Sequence, residues 1–167
     1  MNIFAVSKHP RKCARALDDK RLNKMILETA QILCTVINLR EDRQITPYRN
    51  SHVNHPITKW AMERDHQIWL YHLGIAYGEE IQFRHGRKHA SHLVLEGLTL
   101  NTPWLLKPFK TDIEFFNGAR NMKLGLDFTH LPVQQAYREY LNARWPGDVR
   151  DPFWTNRSRP AWCTLFP

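Results

Sequence analysis

A long amphipathic stretch, residues 20–39, constrains the fold more than any other part of the sequence. Its core-type side chains recur at the spacing of one helical face and are Leu22, Met25, Ile26, Thr29, Leu33, Val36 and Ile37. Asp18 or Asp19 stands just before the stretch, and aspartate is a favoured N-cap residue. The stretch therefore predicts a helix of about twenty residues with one face in a core.

The other periodic segments also favour helices. A first turn or short helix, a longer helix with or without a break, and two further helices are expected over residues 10–17, 56–86, 88–97 and 132–143. Pro56 suits the first position of its helix. No alternating pattern predicts a strand. The fold class is therefore mainly α.

Polar and proline-containing segments separate these helices. Loops are expected over residues 40–55 and 101–111. From Trp145 onward the chain is rich in Pro, Arg and Trp and predicts an irregular aromatic C-terminal tail, residues 145–167. We expect a compact single domain over residues 1–167, because this length suits one domain of roughly 100–200 residues.

The charge balance indicates a polyanionic partner. Lys and Arg number 24 against 16 Asp and Glu, which gives a net charge of +8. Such a surface is typical of nucleic acid binding, and a basic surface without a partner is the alternative. No run of about 18 apolar residues is present, so no membrane partner is expected.

The three cysteines favour a reducing compartment. Cys13, Cys34 and Cys163 are odd in number and widely spaced, which predicts neither a disulfide framework nor a zinc site. The first residues also lack the pattern of a secretory signal peptide. We therefore expect a cytoplasmic protein without a cofactor or a metal.

The polar face of the first long helix carries one acid among basic and neutral groups. The stripe consists of Arg21, Lys24, Glu28, Gln31 and Thr35. Lys and Arg in this region attract phosphates, whereas a carboxylate repels them, so Glu28 suggests chemistry. The alternative is an ion pair between Lys24 and Glu28 worth about 0.2–0.5 kcal/mol, and the helix alone favours this pair.

Three segments carry a family resemblance: DDKRLNKMILETAQIL, NHPITKW and WLYHLGIAYGEEIQFRHGRKH. They resemble the pyrimidine-dimer DNA glycosylases of the phage endonuclease V family, over about residues 1–90. The resemblance implies a compact helical protein that excises ultraviolet-induced pyrimidine dimers from double-stranded DNA and cleaves the abasic strand. It implies an N-terminal α-amine as nucleophile, assisted by a glutamate that Glu28 matches. α-Amines titrate near about 7.7–8.0, so a useful fraction is neutral at pH 7.

The same resemblance assigns DNA contacts. Arg21 falls where the family often has a histidine, Lys20 where it has a polar DNA contact, and His55 near a histidine that follows the central loop. Several positions depart from the family. Asn2 is bulky enough to leave Met1 in place, which moves the amine one residue outward. Leu27 and Gln31 stand where the family has arginines.

These departures keep other functions open. A base other than a pyrimidine dimer is a possible substrate. A non-catalytic DNA-binding module and a nucleoside or nucleotide hydrolase on the same fold are the alternatives.

Two other clusters carry candidate residues. His85, His89 and His92 are predicted on one helical face, where such spacing can hold a metal. The neighbouring cations Arg87 and Lys88 favour a basic DNA-facing surface instead. In the tail, aromatic residues alternate with arginines, which suits stacking on unpaired bases, and a tail strapped over the core is the alternative.

The candidate residues are therefore as follows. The expected catalytic residues are Met1, Asn2 and Glu28. The expected DNA-binding residues are Lys20, Arg21, Lys24, Gln31, His55, Arg87, Lys88, Arg157, Arg159, Trp154 and Trp162. No metal site is assigned, and a monomer is expected.

Overall fold

The computed structural model describes residues 1–165. Within this range the chain forms six α-helices and a small two-stranded sheet, which confirms the mainly α class. The helices are α1 (Pro10–Ala16), α2 (Asp19–Arg40), α3 (Pro56–Trp60), α4 (Arg64–His85), α5 (Ala90–Leu98) and α6 (Val133–Arg144). The strands are β1 (Arg120–Asn121) and β2 (Leu126–Asp127).

Helix α2 confirms the strongest sequence prediction. Asp18 is its N-cap, and the Asp18 carboxylate accepts the backbone N–H of Arg21 at 3.1 Å. The predicted apolar face is buried: Leu22, Met25, Ile26, Thr29, Leu33, Val36 and Ile37. This face packs mainly against α4, so the opposite face of α2 is free to carry the polar stripe.

The segment after Pro56 forms two helices with a break. Helix α3 ends at Trp60 and α4 begins at Arg64. Gly86 ends α4 in the left-handed conformation, with φ of 65°, which glycine adopts without a steric penalty. Helix α4 packs against α1, α2 and α5 and is the centre of the core.

The small sheet is a feature that the sequence did not predict. Strands β1 and β2 pair antiparallel, with Arg120 opposite Asp127 and Asn121 opposite Leu126. Each strand has two residues, which is too short to show an alternating pattern. Over residues 145–165 the expected irregular tail is confirmed apart from a short 3-10 turn, Trp145–Gly147.

The first residues run through the interior without regular secondary structure. Ile3, Ala5 and Val6 are buried, and the Tyr77 hydroxyl donates to the carbonyl of Ile3 at 3.1 Å. Arg138 of α6 donates to the carbonyl of Val6 at 3.0 Å. The segment is therefore held from α4 and α6, which fixes the position of the residues that precede it.

No helix within residues 1–165 has an apolar stretch long enough to cross a lipid bilayer.

Close packing of α4 on α5 gives a prediction for Gly78. A Cβ atom at Gly78 would lie 2.3 Å from the His92 ring, so Gly78→Ala is expected to lower the free energy of unfolding by about 1–3 kcal/mol. Gly97→Ala is the matched control, because nothing lies within 4 Å of a Cβ there. The control is expected to raise stability by about 0.5–1 kcal/mol. Urea unfolding measures both, and equal stabilities of the two variants would contradict the packing.

Candidate active site

A cavity of about 310 Å³ opens beside the polar face of α2. The N-terminal segment, α2, strand β1, α6 and the turn after α6 all line it. Its lining residues include Met1, Asn2, Lys24, Glu28, Arg120 and Asp148. The cavity therefore brings the first residues of the chain together with side chains from sequence-distant elements.

Glu28 meets the N-terminal segment in this cavity. One Glu28 carboxylate oxygen, Oε2, accepts the backbone N–H of Asn2 at 3.0 Å and lies 3.9 Å from the Met1 nitrogen. The other oxygen, Oε1, lies 3.4 Å from the Lys24 ammonium. The ion pair considered for the helix surface thus exists, but it is one part of a contact with the N-terminal segment. The Glu28 side chain is only 12% exposed, so the contact is largely shielded from water.

The N-terminal segment is fixed on the side away from Glu28 as well. The Asn2 side-chain amide donates to the carbonyl of Gly118 at 3.0 Å, and its oxygen accepts the N–H of Ile3 at 2.8 Å. Phe4 has φ of 41°, in the left-handed region that residues other than glycine rarely adopt. Such backbone strain persists where the surrounding structure holds it, and it clusters at functional sites.

Three cations surround the carboxylate of Asp148 at the edge of the cavity. Arg21 Nη1 lies 2.8 Å from Asp148 Oδ2. Arg144 Nη1 lies 3.4 Å and Lys20 Nζ 3.7 Å from Asp148 Oδ1. Arg21 also bonds Asp18 at 2.8 Å. The Arg21 guanidinium is therefore held by two acids, whereas the Lys20 side chain is 66% exposed.

His55 lies close enough to the same cavity to respond to its charges. It caps α3, and its Nδ1 accepts the N–H of Ile57 at 3.2 Å. Burial first, and then the positive charges of the N-terminal amine and His52, lower the pKa of His55, while Glu28 acts in the opposite direction. Gln31 is part-buried on α2, one turn beyond Glu28. Neither residue lines the cavity itself, so their assignment to DNA contacts stays a prediction.

Two exposed candidates lie on another part of the surface. Arg87 donates to the side chain of Asn23 at 3.1 Å, and Lys88 pairs with Glu96 at 2.7 Å. Neither residue lines the Glu28 cavity. Their assignment to DNA contacts stays a prediction.

The contacts of the tail residues favour a strap over the core rather than base stacking. Trp154 is buried and donates its indole N–H to the carbonyl of Ala16 at 3.1 Å, so its ring has no face open to a base. Trp162 stacks on Trp145, with ring centroids 5.7 Å apart. Arg157 makes two hydrogen bonds to Glu80, at 2.8 and 3.0 Å. Arg159 donates to the carbonyl of Leu165. These contacts correspond to the alternative, a tail strapped over the core.

The structure also corrects the prediction that three histidines share one helical face. His85 is the last residue of α4, Gly86 turns the chain, and His89 is the N-cap of α5, so the three histidines do not share a helical face. His92 is buried inside α5. Among residues 1–165 no group of three or more His, Cys, Asp or Glu side chains is arranged to hold a metal ion.

A comparison of the sequence with known families identifies the family of the chain. A family model described as pyrimidine dimer DNA glycosylase matches residues 1–93, which is more than half of the chain. The chain belongs to the pyrimidine dimer DNA glycosylase family. It is therefore a DNA repair glycosylase whose substrate is DNA. No curated protein matches the chain, and no solved structure matches it.

The family match covers only part of the Glu28 cavity. Met1, Asn2, Glu28 and His55 lie inside the matched range. Sequence reasoning missed seven cavity residues: Phe4 and Met25 inside the matched range, and Arg120, Asn121, Tyr140, Arg144 and Asp148 beyond it. Those beyond it carry no local signal, because they meet the matched segment only in the folded chain.

Proposed function

We propose that this protein excises pyrimidine dimers or another damaged or modified base and then cleaves the abasic strand through a Schiff base formed by its N-terminal amine. The observation that carries the proposal is the meeting of the first residues with Glu28. A candidate nucleophile and a carboxylate share one cavity, at 3.9 Å for the Met1 nitrogen. Both groups are held by the fold before any DNA binds.

The chemistry requires a neutral amine that attacks the C1′ atom of the damaged nucleotide. The N–C1′ bond forms while the glycosidic bond breaks, and the base leaves with the electron pair and takes up a proton. The sugar ring then opens to a cationic imine. Loss of a C2′ proton breaks the bond to the 3′ phosphate, and water finally hydrolyses the imine and returns the amine.

Glu28 can act at two stages of this reaction. Its negative charge stabilises the positive charge that develops on the sugar and then on the imine. Its carboxylate can also accept and return protons within the cavity. Because one of its oxygens already lies beside the Met1 nitrogen, no rearrangement is needed to bring carboxylate and amine together.

Exposed cations at the cavity provide for phosphate binding. The Lys24 side chain is 69% exposed and the Lys20 side chain 66% exposed, and both residues line the cavity. Contacts between such cations and DNA phosphates weaken as salt rises, because counterions compete. We assign Lys20 and Lys24 to the phosphates beside the processed nucleotide.

Borohydride trapping tests the proposal. Protein with a free or an acetylated N-terminus is incubated with ultraviolet-irradiated, abasic and undamaged duplexes in the presence of borohydride. We expect a covalent adduct with the first two duplexes that requires the free amine. Lys24→Arg is the control, because it removes the other amine near Glu28 and keeps the positive charge; its adduct should remain and map to the first residue.

Other outcomes identify other functions. Tight duplex binding without an adduct or released base would contradict the proposal and favour a non-catalytic DNA-binding module. Turnover of a free nucleoside or nucleotide, with little salt dependence of duplex binding, would favour a hydrolase. An adduct lost in Lys24→Arg and kept after acetylation would move the nucleophile to Lys24.

A further inference from the structure

We propose that the hairpin of residues 120–127 is a wedge that inserts Met122 and Leu124 into the base stack of duplex DNA beside the processed nucleotide. The inference rests on the proposed function, because it requires DNA to lie over the Glu28 cavity. It adds an interaction surface outside the segment that the family model matches.

The tip of the hairpin presents apolar side chains to solvent. Met122 is 74% exposed and Leu124 is 50% exposed. The neighbouring residues of the hairpin behave differently, because Leu126 and Phe128 pack against the core. The two residues lie in a one-turn 3-10 helix, Met122–Leu124, that connects the strands. Large apolar side chains left uncovered in one short turn favour a partner that covers them.

The hairpin begins at the cavity wall. Arg120 and Asn121 line the same cavity as Glu28, and Met122 follows directly, so its Cα lies about 3.8 Å from that of Asn121. The Asn2 side chain bonds the carbonyl of Gly118 at 3.0 Å. The residue that bonds Glu28 through its backbone thus also anchors the chain that leads into the hairpin.

The base of the hairpin is fixed, as a wedge requires. The N–H of Phe128 donates to the carbonyl of Ala119 at 3.0 Å, directly below the paired strands. At the tip, Gly125 has φ of 65° and its N–H donates to the carbonyl of Met122 at 3.2 Å. The turn therefore has a defined shape, and its apolar side chains project from an anchored support.

The charge around the tip fits duplex DNA. Arg120 and Lys123 are exposed on either side of Met122 and can contact phosphates of the strand into which the tip inserts. A glycosylase must remove the damaged nucleotide or its partner base from the stack, which leaves a gap. Apolar side chains such as Met and Leu fill gaps of this kind between base steps in other DNA-bending proteins. The tip combines both properties beside the cavity that receives the nucleotide.

The double variant Met122→Ala with Leu124→Ala tests the wedge. The matched control is Leu100→Ala with Leu106→Ala, because those leucines are 85% and 62% exposed and do not line the cavity. The duplex carries a thymine dimer with 2-aminopurine in the adjacent base pair. Wild type and the control are expected to raise its fluorescence by unstacking it on binding, and the hairpin variant is expected to lose that rise.

Excision kinetics give the second readout. The hairpin variant is expected to excise the damaged base from duplex about 10–100-fold more slowly. It should cleave a preformed abasic site nearly as fast as wild type, since no stacked base must be removed there. The conservative pair Met122→Leu with Leu124→Met should retain excision.

The two proposals fail in different ways. Absence of excision by the wild-type protein would overturn the proposed function. The fluorescence experiment would still test whether the hairpin unstacks the adjacent base pair. No fluorescence rise with wild type, an equal rise with the hairpin variant, or equal losses on damaged and abasic duplexes would overturn the wedge. Thermal unfolding confirms that the compared variants are folded.

Discussion

Glu28→Gln is expected to lower the rate of base excision by about 10²–10⁴-fold while leaving DNA binding intact. The amide keeps the size of the side chain and can still accept the N–H of Asn2, so the local structure should persist. It has no negative charge to stabilise the cationic sugar and does not accept a proton at neutral pH. Single-turnover excision and duplex affinity at fixed salt measure the two effects separately.

The direction of the binding change is part of this prediction. Removing the carboxylate leaves Lys24 without its partner at 3.4 Å in a cavity that Arg120 and Arg144 also line. Duplex affinity should therefore stay the same or rise. Glu79→Gln is the matched control, because Glu79 is an exposed glutamate paired with Arg11 and the variant changes the net charge equally. Equal losses of activity in both variants would contradict a specific role for Glu28.

The helices were predictable because their signals are local. Periodic burial along α2, Asp18 before it, and Gly86 after α4 each act within a few residues of the feature that they specify. The β1–β2 hairpin had no comparable signal, since its pairing depends on anchoring at Ala119 and not on an alternating pattern.

The candidate site was predictable only in part, for the same physical reason. Glu28 stood out as an acid on a basic face, and the resemblance joined it to the first residues. Arg144 and Asp148 are ordinary charged residues in sequence, and only the packing of α6 brings them to α2. The roles of Trp154 and Arg157 could not be decided from sequence, because aromatic and arginine side chains alternate both in base-stacking segments and in a strap over a core.

Arg84→Met is expected to lower the free energy of unfolding by about 3–5 kcal/mol. The Arg84 side chain is fully buried and bonds Glu80 and Asp19, each at 2.9 Å. It also donates to the carbonyls of Leu17 and Arg15, at 2.8 and 3.1 Å. Methionine fills similar space but donates no hydrogen bond, so the carbonyls of Leu17 and Arg15 lose this buried donor. Glu80 keeps only its bonds from Arg157, and Asp19 keeps those from Thr155, so both acids lose part of their compensation.

Thermal and urea unfolding measure this loss. For a chain of this size, it corresponds to a melting temperature lower by roughly 6–20 °C. Arg11→Met is the control, because Arg11 is 75% exposed and its partner Glu79 is also exposed; its stability should change by no more than about 0.5 kcal/mol. An Arg84→Met variant as stable as this control would show that the hydrogen bonds and ion pairs of Arg84 contribute little to stability.

The pH dependence of stability separates the charge of Arg84 from its packing. Burial alone would raise the pKa of Glu80, but hydrogen bonds from Arg157 and Arg84 lower it, and Thr155 and Arg84 likewise lower the pKa of Asp19. Carboxyls with a lowered folded-state pKa stabilise the fold above their ordinary pKa, near about 4, and lose that contribution as pH falls through the folded-state values. The acid-induced loss of stability between neutral pH and about pH 3 should therefore be smaller in Arg84→Met than in wild type. Equal losses would mean that Arg84 acts through packing and carbonyl hydrogen bonds alone.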